Sequence, residues 1–523
     1  MYSTTMAKRS TRGQDRAVAR FLASVPADEM SRRDGQETPS GPSAPRIYLA
    51  VPRKDMARAR ALGAQLDRTR RLCWIAASVS RAPFAAWIVD DAVLTNAGVD
   101  QDDVIADFGD AMRSYGLIPE TIRPDGEWHT AKIQTKAGPR NNGSYKLDRV
   151  GGEWRGYIRN YRGASGPWRY QKGRLTPEQR AALEAADSDR RAARAAKLIE
   201  EQRTTAAKAL RVLVTLPEVE GAAHPYLARK GVAAHGLRVA NGKGPEMITL
   251  LNLEHFKVTP DEYLIIPGRD VNDRLRTVQA LAPDGSKLFT KGARKVGAFH
   301  LIGVRRVADL ASAPAVLFAE GYATGASVFE ATGLPVVVCF DADNLIAVAK
   351  DLVHVLPTSQ PKLVCADNDQ YFLDAAVARV TELGDTQPHV TSTFAVVAGT
   401  GDAVRTVQTA GVVADGQWHA GVKGKYRLAV ESAQGIVCSV TVDVVTAVDK
   451  KHVRFTSRNK GVEAANEAAR VLQCAAIAPV FRSIDGRPTD FNDLASAEGK
   501  AAVREQLQVM LPFSLEPTTS DQR

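Results

Sequence analysis

The chain has 523 residues, 44% hydrophobic and 24% charged, the balance of a soluble globular protein with about three domains. Lysine and arginine outnumber aspartate and glutamate 69 to 59, and the formal net charge of +10 fits a polyanionic partner while also serving solubility. No uncharged apolar run reaches the ~18 residues that cross a bilayer, and no apolar core follows the charged N-terminus, so neither a membrane span nor a signal peptide is expected and the protein is expected to be cytoplasmic.

Residues 1–45, rich in Ser, Arg, Asp, Gly and Pro, read as a disordered basic arm whose arginines either touch nucleic acid or form a solvated tail, the tail being favoured. Residues 46–95 read as a small α+β unit. IYLAVP is a strand stopped by Pro52, Lys54 to Leu66 a helix with Ala61 and Leu62 facing in, and Cys73-Trp74-Ile75 a second strand. Arg58, Arg60, Arg68, Arg70 and Arg71 suit either a phosphate-binding face or a solvated helix and turn. The run YLAVPRKDMARARALGAQLDRTRRLCW resembles a short accessory domain at the front of mobile-element proteins, which implies no activity.

Residues 101–175 open with the helical DVIADFGDAMRSYG. They continue as short alternating runs, GEWHTAKIQT, GSYKLDR, EWRGYIRNYRG and GPWRYQKG, which predict a small antiparallel sheet. Trp128, Trp154, Tyr157, Tyr161 and Trp168 interleave with Arg155, Arg159, Arg162, Arg169 and Lys172, a pattern that suits either a stacking surface for single-stranded nucleic acid or a half-buried aromatic sheet face. Thr176-Pro177-Glu178-Gln179 combines a capping Thr, a first-turn Pro, an acid at the positive helix end and a Gln three residues on, so a helical spacer is expected over 176–214.

Residues 215–310 begin with HPYLARKGV. They run on through LIIPGRDVNDRLRTVQALAPDGSKLFTKGARKVGAFHLIG, a strand–turn–strand region with Asp284-Gly285 as its hairpin turn. Its lysines and arginines either neutralise phosphates or form a solvated basic hairpin; their place directly before a cluster of carboxylates favours the first.

That cluster lies within 311–370. AVLFA precedes Glu320, PVVVCF precedes Asp341, and KLVCA precedes Asp367 and Asp369. Each run reads as a strand buried on both faces of a parallel sheet, with helices over Tyr322 to Thr332, stopped by Gly333, and Asn344 to Leu356, stopped by Pro357. Parallel strands present their carboxyl ends on one edge, where ligands bind. An isolated acid at a strand end is often only a solvated charge, but several together repel unless a cation neutralises them. Oxygen ligands in an Asp-x-Asp arrangement suit Mg²⁺, with Mn²⁺ as a substitute, and phosphate substrates.

Glu320-Gly321-Tyr322, followed two strands later by Asp367-Asn368-Asp369, resembles the Toprim domain of bacterial-type primases, topoisomerases and some nucleases. EGYATGASVFEATGLPVVVCFDADNL resembles more narrowly the Toprim primases of plasmids, phages and integrated elements. The resemblance implies an α/β, multidomain chain: a Toprim-type parallel sheet with helices on both faces, small α+β modules before it, and Glu320, Asp367 and Asp369 as ligands of the catalytic metal. Asp341 and Asp343 stand where other Toprim proteins have small or polar residues and are carried as outer members of the catalytic set. The region upstream of residue 176 and the basic lobe over 215–310 also resemble the family. The lobe would handle template and incoming nucleotide through Arg276, Gln279, Lys287, Lys291, Arg294, Lys295 and His300.

After Asp369 the family pattern is interrupted. Residues 371–458 begin with FLDAAVARVTEL, a helix, and continue as strand-like FAVVAGTG, GQWHAGVKGKYRLAV, GIVCSVTVDVVTAV and KHVRFTS, a β-rich insertion. The Toprim pattern resumes over 459–512 with NKGVEAANEAARVL as helix, AAIAPVF as strand and PTDFNDL; Asp490, Asn492 and Asp493 cap a helix or supply an outer ligand, capping being favoured. Residues 513–523 are expected to be a flexible tail.

Five cysteines, at 73, 339, 365, 438 and 474, read as buried free thiols, and with no CxxC pair no zinc site is expected. No P-loop string occurs, so a helicase is expected to come from another polypeptide. The leading expectation is a primase that makes short RNA primers on single-stranded DNA from nucleoside triphosphates. A Toprim-type nuclease, mildly favoured by the extra acids Asp341 and Asp343, and a non-catalytic DNA-binding accessory protein are the alternatives.

Overall fold

A computed structural model describes residues 45–90, 93–94, 100–133, 138–150, 153–161, 165–170, 175–240, 263–372, 394–396, 405–407, 417–421, 424–433, 436–447, 452–483 and 485–515. The expected basic arm up to residue 44, the FLDAAVARVTEL helix beyond Phe372, Arg162, Lys172 and the tail from 516 lie outside them. The chain forms two compact units, residues 1–199 and 200–523.

In the first unit, Arg46–Leu49, Leu72–Ala76 and Gln65–Asp67 form an antiparallel sheet with Leu72–Ala76 central. The helix expected from Lys54 to Leu66 is shorter: a 3-10 turn at Arg53–Asp55 leads into Met56–Ala61, and Gln65–Asp67 is already strand, because Gly63 stops the helix. Ala59, rather than Ala61 or Leu62, faces the core, and Leu62 is 43% exposed. The five arginines do not form one open face. Arg58 lies over the Trp87 ring, and Arg70 is drawn onto Tyr48 and Asp189.

A second antiparallel sheet runs Leu117–Ile118, His129–Ile133, Arg140–Val150, Glu153–Asn160, Gly166–Arg169, as the period-two pattern predicts. The Gln101–Ser114 helix covers one face, packing Val104, Phe108 and Met112 onto Tyr145, Leu147, Trp154 and Ile158. The long helix Pro177–Leu213 starts with the expected capping box: Thr176 N–H donates to Gln179 Oε1 (2.9 Å) and Gln179 N–H to Thr176 Oγ1 (3.2 Å). Its first half is packed. Ala182 and Ala185 meet Tyr48 and Ala50, and the fully buried Asp187 carboxylate accepts from Arg149 at 3.1 Å.

In the second unit the last turns of that helix, with Ala209, Val212 and Leu213, pack on an antiparallel sheet ordered Lys287–Phe289, Leu275–Leu281, Leu264–Arg269, Arg238–Val239. Asp284-Gly285 makes the expected turn between Leu275–Leu281 and Lys287–Phe289: Gly285 has φ +93°, and Asp284 Oδ1 accepts from Ser286 N–H at 2.8 Å. Next comes a five-stranded sheet in the order His300–Ile302, Val336–Val338, Val316–Ala319, Lys362–Cys365, Ala475–Ile477. All its neighbours are parallel except the His300–Ile302 edge. The other sheets are antiparallel, so the molecule is mixed α/β.

Alternation along these strands sends side chains to two covered faces. Leu317, Ala319, Val336, Val338, Leu363 and Cys365 meet the Tyr322–Thr332, Phe491–Glu498 and Lys500–Gln508 helices. Val316, Phe318, Val337, Cys339 and Val364 meet the Ala342–Leu352 and Lys460–Leu472 helices. The first of these helices lies very close to the sheet: a Cβ on Gly325 would come within 2.7 Å of Val338 Cγ2. Glycine there lets every neighbouring helical residue from Tyr322 to Val328 be buried.

Between Phe372 and His452 the described strands are Phe394–Val396 paired with Arg405–Val407, and an antiparallel sheet ordered His419–Gly421, Gly424–Ala433, Ile436–Thr446, His452–Arg458. All five cysteines are free thiols, though Cys438 and Cys474 are only half-buried. Among the described residues no helix is long and apolar enough to cross a membrane.

Candidate active site

The carboxyl ends of Val316–Ala319 and Lys362–Cys365 carry Glu320 and Asp367. The Glu320 carboxyl is pushed up to about 7, first by burial and then by the negative charges of Asp369 and Asp341; Lys287 and the Ala342 N–H oppose the shift. Asp367 is driven well above the ordinary carboxylate range, again first by burial and then by Glu320, Asp490 and Asp369, with Lys287 opposing. The structure thus brings four expected residues, Glu320, Asp341, Asp367 and Asp369, within electrostatic reach of one another and of Lys287. Asp367 Oδ1 is buried with no hydrogen-bond partner, an arrangement that costs free energy unless something supplies a positive charge.

The Asp-x-Asp turn is held by residues from beyond the insertion. Asn459 caps the Lys460–Leu472 helix, its Oδ1 accepting from Val462 N–H at 3.3 Å and from Asp369 N–H at 3.1 Å. Its Nδ2 donates to the buried Asn368 Oδ1 at 2.9 Å. Gly461 N–H donates to Asp369 Oδ2 at 3.1 Å, so that carboxylate sits at the positive end of the helix. A Cβ on Gly461 would stand 2.2 Å from the Asp367 carbonyl oxygen; only glycine lets the helix start press on that strand end. Asn368 N–H donates to Thr489 O at 2.7 Å. Helical patterning marks Asn459 as a helix start, but nothing in the sequence shows that the cap also grips the Asp-x-Asp turn. Nor does it single out Gly461, because a glycine in a first helical turn carries no pattern of its own.

Asp490 takes the favoured role: it caps Phe491–Glu498 by accepting from Asp493 N–H at 2.8 Å. Buried and next to Asp493, it is also raised above the usual carboxylate range. Asn492, fully buried, donates to Lys230 O (2.7 Å) and Ser327 Oγ (3.0 Å), and Asp493 accepts from Thr489 N–H at 2.9 Å. These three residues lock helices together.

The outer acids and the lobe residues are held in different ways. Asp341 caps Ala342–Leu352, its Oδ1 accepting from Asn344 N–H at 3.0 Å, while Oδ2 pairs with Lys295. Asp343 is exposed in the first turn of that helix. Asn344 ties down the basic loop by accepting from Gly297 N–H at 2.8 Å and donating to Ala298 O at 2.7 Å. Lys291 and Arg294 are exposed, Arg294 Nε donating to Val296 O at 2.9 Å, and Arg276 pairs with Asp270 at 2.6 Å. Gln279 and His300, expected to face template, are instead buried. Burial pushes His300 down to about 3, and its Nδ1 lies 3.2 Å from Pro267 O. The aromatic set of the first unit also divides: Trp154 is core, and Trp168 packs on Phe108 at 4.9 Å rather than facing outward.

Among the described residues no three His, Cys, Asp or Glu side chains already stand as a group that could hold a metal ion. The donors nevertheless suit a hard cation. They are carboxylate oxygens, one of them on Asp367 buried and unpaired, Glu320 and Asp367 are raised first by burial and then by neighbouring acids, and Asp369 is turned onto Gly461 N–H.

Residues 46–88 match the family described as domain of unknown function DUF5710. Two curated relatives, each called DNA primase TraC and both from Escherichia coli, are similar over most of the chain. One is 30% identical over 331 residues, 62% of this chain, and the other 28% identical over 337 residues, 63% of this chain. The chain spans only 29% and 22% of the length of those relatives. The crystal structure of the primase fragment of the bacteriophage T7 primase-helicase protein aligns with 31% of this chain and 60% of its own at 16% identity, with a TM-score of 0.20.

Proposed function

We propose that this chain is a DNA primase of the plasmid and phage mobile-element type, and that its parallel sheet is a Toprim core making short RNA primers on single-stranded DNA from nucleoside triphosphates. The observation that carries the reading is the pair Glu320 and Asp367, both raised first by burial and then by neighbouring carboxylates, with Asp367 Oδ1 unpaired and Lys287 as the opposing charge. The similarity to proteins named DNA primase supports it.

Glu320, Asp367 and Asp369 would hold Mg²⁺ or Mn²⁺, which when bound supplies positive charge to the reacting phosphate and to the attacking and leaving oxygens. Asn459 and Gly461 fix the backbone and side chain of the Asp-x-Asp turn. Lys287, a cation that acts on both buried acids, would take a substrate phosphate. Lys291 and Arg294 extend that positive edge. Lys295 and Arg276 act differently: each is paired with an acid, so they hold the lobe's loops in position. Asp341 is engaged by Lys295 and by the start of its own helix, which weighs against its serving as a base for water in a nuclease.

The test is primer synthesis by the full chain on single-stranded DNA with labelled ribonucleotides and Mg²⁺. Template degradation without a short product would point to the nuclease instead. Lys287→Ala is expected to raise the KM for nucleotide more than it lowers kcat.

A further inference from the structure

The five-stranded sheet of the first unit has two unlike faces. One buries Tyr145, Trp154 and Trp168 against the Gln101–Ser114 helix. On the other, the register sets Lys146 opposite Tyr157 and Ser144 opposite Arg159. Trp128, just before the His129–Ile133 strand, stands edge-on to Tyr157 with ring centres 6.1 Å apart. The Arg159 guanidinium lies 4.1 Å from the Trp128 ring centre and 5.8 Å from that of Tyr157. Trp128 is 44% exposed, Tyr157 39% and Tyr161 64%, and Tyr161 is anchored by a 2.9 Å hydrogen bond between its hydroxyl and Ser144 Oγ. Neighbouring arginines on the sheet are neutralised, Arg155 and Arg169 by Glu153 and Arg149 by Asp187. Among the described residues Lys146 and Arg159 have no carboxylate partner.

Exposed rings interleaved with unneutralised cations match the two features of an unpaired strand, a π-face on every base and a charge at every phosphate. In a duplex the bases stack on each other and these rings would find no partner. We propose that this face binds single-stranded DNA, with bases stacked on Trp128, Tyr157 and Tyr161 and phosphates held by Arg159 and Lys146. The choice of DNA over RNA rests on the template proposed above; the stacking surface itself does not.

The experiment is photo-crosslinking of the full chain to a bromodeoxyuridine oligonucleotide, mapped by peptide mass, together with anisotropy titration of a labelled oligothymidine. Crosslinks are expected at Trp128, Tyr157 or Tyr161, and equally in Asp367→Asn, whose candidate metal site is disabled. Trp128→Ala and Tyr157→Ala should each weaken binding by about 5- to 100-fold, while Tyr157→Phe, which keeps the ring, stays close to wild type. Arg159→Gln and Lys146→Gln should each lower the slope of log affinity against log salt by about 0.7. Crosslinks confined to residues 200–523, unchanged binding in both alanine variants, or tighter binding of duplex or of RNA would overturn the proposal. Crosslinks on this face in a chain that makes no primers would uphold it while removing the catalytic reading.

Discussion

Glu320→Gln separates the stability of this site from its chemistry. In the metal-free protein the Glu320 carboxyl is raised from 4.5 to about 7. Below pH ~4.5 the residue is protonated in folded and unfolded chains alike and carries no penalty. Between there and pH ~7 the unfolded chain releases the proton while the folded chain keeps it, so stability falls as pH rises. Above pH ~7 the folded carboxyl ionises too, and the full penalty, about 3 kcal/mol for the whole shift, is in place. Glutamine keeps the size of the side chain without its charge, and it also relieves Asp367 of its strongest charged neighbour. In EDTA, urea unfolding followed by circular dichroism should therefore show Glu320→Gln close to wild type at pH 4.5 and more stable by about 1–3 kcal/mol at pH 8. Saturating Mg²⁺ should stabilise wild type at pH 8 and do much less for the variant. A difference between the two proteins that stays flat from pH 4.5 to 8, or a variant less stable at pH 8, would refute the claim that unneutralised charge is stored here.

Gly461→Ala places a methyl 2.2 Å from the Asp367 carbonyl, so the helix start must move off the strand end; overpacking of this kind costs about 1–3 kcal/mol, and primer synthesis should fall far more than thermal stability does. Asn459→Ala leaves the Asp369 N–H and the Asn368 side chain without their partner, and a loss of about 1–3 kcal/mol in urea unfolding is expected together with weaker Mg²⁺ dependence of activity. Asp341→Asn releases Lys295 and should raise the KM for nucleotide while leaving template affinity within about twofold, a split readable in steady-state kinetics.

The parallel core was legible because its signal is local. Four to six apolar residues, an acid, a helical stretch and a Gly or Pro stop repeat along 315–369, and strands appear at Val316–Ala319, Val336–Val338 and Lys362–Cys365 where the runs are. The capping box at Thr176 and the turn at Asp284-Gly285 were readable for the same reason. Side-chain facing was less so. Trp154, Tyr157 and Trp168 look alike in an alternating run, and which of them faces the core depends on where the Gln101–Ser114 helix lands, a tertiary fact. His300 and Gln279 looked like lobe residues facing template, yet packing against Pro267 and its neighbours buries them. The braces of the site were illegible for a different reason. Asn459 and Gly461 follow Asp369 by some ninety positions across the insertion, and nothing local marks them as its partners.

The decisive comparison is primer synthesis by wild type and Asp367→Asn on one single-stranded template with labelled ribonucleotides and Mg²⁺ at pH 8. Short RNA products are expected from wild type, and from the variant, which keeps side-chain size but loses the unpaired carboxylate oxygen, a reduction of about a hundredfold or more. Equal product from both proteins, or none from wild type under any divalent cation, would rule out Asp367 as a metal-holding residue of a primase.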